Sequence, residues 1–141
     1  MDVDVTDFFS EDETASRSDD FVIVKKKDRL KVGSNSRLKG APHKAPYGYT
    51  YEAMAARLPG KNMEPYLITI SDIIPKDAFQ HDGEEFIFIL SGKMEFIYDG
   101  KSYFLEEGDS AYYRSGVPHS GRSAGGKKAK FLCIMYSYKR I

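Results

Sequence analysis

Apolar and polar residues alternate with a period of two along much of this chain, which is the pattern of strands buried on one face. Glu85 to Leu90 and Met94 to Tyr98 flank a Ser91-Gly92 turn. Asp99-Gly100 then precedes Ser102 to Leu105. Both central residues of a type I′ turn need positive φ, so Asp-Gly predicts a tight hairpin there. Ala111 to Arg114 follows Glu107-Gly108, and Lys130 to Tyr138 reads as a long closing strand. Earlier in the chain, Phe21 to Lys25 and Leu30 to Val32 read as short strands, and Gly33 to Pro46 as a loop. Tyr47 to Leu58 places Tyr47, Tyr49 and Tyr51 on one strand face, and Met63 to Ser71 contains the β-branched run LITIS. No segment has the period of an amphipathic helix, and no repeat of fixed length is present. About ten short strands separated by close-set turns predict an all-β fold, a small antiparallel β-barrel or jelly roll, closed or sandwiched.

At 141 residues the chain suits one domain with a single core. The aromatic share of 13% agrees with strands. A formal net charge of zero removes the general electrostatic case for nucleic acid as the main partner. The single cysteine, Cys133, lies in FLCIMY and reads as a small buried hydrophobe. The N-terminus lacks the basic-then-apolar order of a signal peptide. No apolar run approaches the roughly 20 residues that span a bilayer. A soluble cytoplasmic protein without a membrane partner is expected.

Charge is segregated. Residues 1–20 hold Asp2, Asp4, Asp7, Glu11, Asp12, Glu13, Asp19 and Asp20 against Arg17, and read as an acidic linker or tail interrupted by Phe8-Phe9. Residues 21–141 form the expected barrel domain. Residues 25–44 invert the sign, with Lys25, Lys26, Lys27, Arg29, Lys31, Arg37, Lys39 and Lys44 against Asp28. They read as a solvated strand and loop neutralised by the tail, with a phosphate-binding patch as the alternative.

Three residues carry candidate chemistry. His81 and Glu85 are an even number apart, so a regular strand points both to one side. His119 follows Val117-Pro118, whose proline stiffens its approach. Two imidazoles and a carboxylate can hold a divalent metal on one face and leave the other open to a ligand. Alternatively, His119 bonds a backbone carbonyl and Glu85 pairs with a lysine. Strand alternation puts Phe79, Ile87, Ile89, Ala111 and Tyr113 on the inner side, with Phe86 and Phe88 outward. Tyr49 and Tyr51 offer hydroxyls to an anionic group, and Gly121 would leave room for a ligand. The expected ligand pocket is therefore Phe79, Tyr49, Tyr51, Ile87 and Tyr113, although each also suits plain core packing. Arg114 reads as a surface arginine and His43 as solvent-exposed, so no general base stands out beyond the triad.

These segments resemble the two motifs of the cupin superfamily. The first, G-x5-H-x-H-x3,4-E-x6-G, corresponds here to Phe79-x-His81-x3-Glu85-x6-Gly92, with Phe79 at the first histidine position. The second, G-x5-P-x-G-x2-H-x3-N, corresponds to Gly108, Arg114, Gly116, His119 and Ser123, with arginine and serine replacing proline and asparagine. The resemblance covers residues 63–138. It implies a three-ligand site of His81, Glu85 and His119 for iron, zinc, nickel or manganese. HDGEEFIFILSGKMEF and GDSAYYRSGVPH also resemble the C-terminal cupin sensor domain of helix-turn-helix (XRE-type) transcriptional regulators. DVDVTDFFSEDE is similar to the segment that joins the two domains in that family, and FVIVKKKDR to the strand that opens the barrel. This implies a small-molecule effector, and DNA contact only through a helix-turn-helix domain that this sequence lacks; separately, the apolar strands FLCIMY and FVIV need cover on both faces, so a homodimer paired along barrel edges is expected. The H-x3-E…H pattern is similar, too, to hydroxypropylphosphonate epoxidase, which implies the alternative of a mononuclear non-haem iron oxygenase or epoxidase acting on a small substrate.

Overall fold

A computed structural model describes residues 20–32 and 48–138. The expected acidic tail up to Asp19, Phe8-Phe9, the Gly33–Pro46 loop with His43, and Tyr47 lie outside the described residues. Among the described residues there are nine strands, one single 3-10 turn at Lys26–Asp28 and no α-helix. The strands are β1 (Leu30–Val32), β2 (Tyr49–Ala53), β3 (Met63–Ile70), β4 (Glu84–Ser91), β5 (Met94–Tyr98), β6 (Lys101–Leu105), β7 (Ser110–Arg114), β8 (His119–Ser123) and β9 (Ala129–Tyr136).

All pairings between these strands are antiparallel. A six-stranded sheet runs β1-β2-β3-β9-β4-β7, and a three-stranded sheet runs β6-β5-β8. The fold is the expected all-β jelly roll in its sandwiched form, because no continuous ladder joins the two sheets into a closed barrel. Asp99 and Gly100 have φ of 54° and 80°, as the β5–β6 hairpin requires.

The core lies between the sheets. β2 alternates buried and half-buried residues, so Tyr49, Tyr51 and Ala53 face inward, and Ile87, Ile89, Phe131, Cys133 and Met135 do the same from β4 and β9. Phe86, Phe88, Leu132 and Ile134 lie on the outer face of the large sheet and are half-buried. Register aligns Tyr112, Phe86, Ile134 and Pro65 in one cross-strand row, and Phe88, Leu132 and Leu67 in the next.

Two expectations about strands need correction. Phe21 to Lys25 is extended but joins no ladder, and Phe21 and Ile23 are exposed. Its alternation has strand character, yet a strand is completed by a partner's hydrogen bonds, and β1 already occupies that edge of the sheet. The Tyr47–Leu58 strand is shorter than expected: β2 stops at Ala53, and the chain then bends and turns.

Candidate metal centre

His81 sits in the loop between β3 and β4, Glu85 near the start of β4, and His119 at the start of β8. Backbone hydrogen bonds tie these segments together. Phe79 and His119 exchange two bonds of 2.7 and 2.9 Å, His81 N donates to the Ser115 carbonyl over 3.0 Å, and Ser115 N donates to the Gly83 carbonyl over 2.9 Å. Gly83 is essential to this stitch. Its φ is +117°, and a Cβ there would lie 2.0 Å from the Tyr136 carbonyl oxygen.

One ligand atom from each of His81, Glu85 and His119 lies within 4.8 Å of the others. His81 Nε2 is 2.9 Å and His119 Nε2 3.2 Å from the same Glu85 oxygen, Oε2. His119 Nδ1 lies 2.8 Å from the Val117 carbonyl, and His81 Nδ1 lies 3.2 Å from the Asp82 carbonyl. A carbonyl only accepts, so each Nδ1 carries a hydrogen and each ring turns its Nε2 toward the carboxylate. Two ring nitrogens facing one carboxylate oxygen call for a positive charge there, either a proton on a ring or a metal ion. The donor set therefore fits a divalent metal, with both tautomers already set by the backbone. Cys133 lies beside the group, its Sγ 3.6 Å from Glu85 Oε1, but is not one of the three clustered ligands.

Glu85 is 4% exposed and well supplied with donors. Tyr113 Oη donates to Oε1 over 2.7 Å, and Ser115 Oγ donates to Oε2 over 3.1 Å. Burial alone would raise the pKa of Glu85, yet the hydrogen bonds from His119 and His81, the charge of His119 and the Tyr113 hydroxyl hold it well below the usual carboxylate range. Burial would lower His81, but the hydrogen bond and charge of Glu85 outweigh it and raise it above 6.5. Burial, with Glu85 nearby, pushes the Tyr113 phenol and the Cys133 thiol well above their ordinary values.

Of the expected pocket residues, Phe79, Tyr49, Tyr51 and Tyr113 line a cavity beside Glu85 and His119. Ile87 does not; it is 1% exposed and belongs to the core packing. Gly121 lines the same cavity, and the Met94 methyl, which would lie 2.3 Å from a Cβ there, takes up part of the space that its missing side chain leaves. The Tyr49 hydroxyl donates to the Gly121 carbonyl over 2.7 Å rather than facing the cavity as a free donor. Arg114 is a surface residue, as expected, 3.4 Å from Glu84. Sequence reasoning placed Tyr113 as lining but missed its bond to Glu85, and it did not single out Ser115. The signal was in the register: Glu85 pairs directly with Tyr113 across β4 and β7, and Ser115 lies two residues further on the same side.

The family described as Cupin domain matches residues 72–135, a span that holds all three clustered residues. No curated protein matches the sequence significantly. Among solved structures, FeII HppE is similar with a TM-score of 0.66 and 22% identity, over 86% of this chain and 64% of that one. Hydroxypropylphosphonic acid epoxidase from S. wedmorenis gives a TM-score of 0.66 and 21% identity, over 86% and 62%. An HTH_3 family transcriptional regulator from Vibrio cholerae gives 0.55 and 21%, over 67% and 53%. The chain thus spans less than two thirds of the length of each, and at these identities the likeness is one of fold.

Proposed function

We propose that the chain, whose residues 72–135 match the Cupin domain family, is a small-molecule-sensing module of a transcriptional regulator, built around one divalent metal held by His81, Glu85 and His119. The observation that carries this reading is the convergence of two Nε2 atoms on one carboxylate oxygen at 2.9 and 3.2 Å, with both Nδ1 atoms committed to carbonyls. Iron, zinc, nickel and manganese all accept such donors, and a bound ion would supply Lewis acidity and open coordination positions. The chain's own part is to orient the ligands. Val117 and Asp82 fix the ring tautomers, while Tyr113 and Ser115 hold the carboxylate.

Sensing is preferred because proton-transfer groups are scarce. Around the triad stand the Tyr49 and Tyr113 phenols and the Cys133 thiol, all pushed upward by burial, so none is poised to act as a base near neutrality. The fold likeness to the Vibrio cholerae regulator is consistent with that role. An effector at the metal would bias a DNA-binding domain, and DNA would be contacted only through that domain, since the described residues contain no α-helix. The second reading is a mononuclear non-haem iron enzyme, an oxygenase or epoxidase, which the fold likeness to FeII HppE favours. A homodimer in the cytoplasm completes the proposal; the apolar outer rows through Phe86 and Phe88 support association.

Elemental analysis of untagged protein tests the metal. One equivalent of a divalent ion is expected in the parent, a sharp loss in His81→Ala and His119→Ala, and none in His43→Ala. A parent free of stoichiometric metal would remove the metal-centred sensor and the iron enzyme together. Substrate-dependent dioxygen consumption by the iron-loaded protein would move the assignment to catalysis.

A further inference from the structure

The cavity beside the triad is very small. It leaves about 30 Å³ for the centres of water-sized molecules. One water needs roughly 10–15 Å³ by that measure, so there is room for about two. Phe79, Tyr49, Tyr113, Met94, Phe131 and Cys133 supply much of the wall.

Three of these walls are fixed in place. Phe79 is bound to His119 through both backbone groups, at 2.7 and 2.9 Å, and its ring meets the Tyr49 ring edge-on at 5.9 Å. The Tyr49 hydroxyl is held by the Gly121 carbonyl at 2.7 Å and the Gly121 amide at 3.2 Å. The Tyr113 hydroxyl is held by Glu85, and its ring lies 5.0 Å from that of His119. A ligand larger than the cavity has to displace part of this wall to enter.

Resting on the metal-centre reading, we propose that Phe79, Tyr49 and Tyr113 limit the exogenous ligand at this centre to one of two or three heavy atoms, a diatomic gas or a small inorganic anion. The effector class is thereby narrowed from organic molecules to ligands of that size. Phe79 is the size-setting residue, since its ring lies between two others of the wall, 5.9 Å from the Tyr49 ring and 6.0 Å from that of the ligand His119.

The test uses the whole chain loaded with cobalt(II), whose visible spectrum reports ligand exchange. Wild type is titrated with azide, acetate and benzoate. Azide is expected to perturb the spectrum, and benzoate to bind at least about tenfold more weakly, because filled cores resist added volume. Phe79→Ala should admit benzoate and abolish that gap. Benzoate binding to wild type as tightly as azide would overturn the size limit while leaving the metal centre intact. Failure of wild type to take up cobalt at His81, Glu85 and His119 would overturn the metal centre and this inference with it. The wild-type series decides the matter if Phe79→Ala does not fold.

Discussion

The Tyr113 hydroxyl donates to Glu85 Oε1 over 2.7 Å, so a phenol on β7 holds the carboxylate that both histidines face. This contact leaves Oε2 for the two imidazoles, at 2.9 and 3.2 Å. Tyr113→Phe keeps the ring and removes the donor. Metal affinity is expected to fall about 10- to 100-fold, the usual effect of losing a group that orients a ligand. Competition against a chelator measures it, and an unchanged affinity would show that Tyr113 serves packing alone.

Acid and base should act on the centre in opposite senses with and without metal. His81 is raised above 6.5 in the folded protein, because Glu85 outweighs burial. Its contribution is complete below 6.5 and is lost as pH rises through the raised value. Glu85 is held below 4.5, so its contribution is present above 4.5 and is lost as pH falls toward its lowered value. The metal-free protein is therefore expected to be most stable between about 4.5 and 6.5, and to lose Tm as pH climbs further. In the loaded protein a metal competes with the proton on His81, so stabilisation by metal grows over the same rise. Thermal unfolding across pH, with and without chelator, checks this; parallel curves would contradict it.

Gly83→Ala should be costly at a single methyl group. Its φ of +117° disfavours any L side chain, and the added carbon would meet the Tyr136 carbonyl at 2.0 Å. A loss of about 2–4 kcal/mol is expected from denaturant unfolding. Because Gly83 accepts the bond from Ser115 N, metal content should fall as well.

The outer face of the large sheet predicts association. Half-buried Phe88 and Leu132 form one row there, beside half-buried Phe86 and Ile134 and exposed Tyr112. Phe88→Lys places a charge in the middle of that patch. Sedimentation is expected to show a dimer for wild type at micromolar concentration and a monomer for the variant, with metal content kept. A monomeric wild type would refute the dimer.

Much of the fold could be read along the chain because strand alternation is a local signal. The Met94–Tyr98 strand and the Asp99-Gly100 turn needed only their own residues. Phe21 to Lys25 misled because alternation alone does not supply a partner strand. The triad was legible through the spacing of His81, Glu85 and His119, but its support was not. Tyr113 reaches Glu85 only through the β4–β7 register, and Met94 fills the space at Gly121 only through the packing of β5 on β8. Such contacts depend on which strands become neighbours, and one sequence does not state that.

The two-bond bridge between Phe79 and His119 joins segments forty residues apart, across a sheet order in which late strands insert between early ones. Such wiring makes assembly slow, since distant segments have to meet before either gains anything. Ions offered to a refolding chain would find their binding partners still scattered. If the centre holds a metal as proposed, the ion is expected to prolong the lifetime of the finished protein and to leave the speed of its formation unchanged.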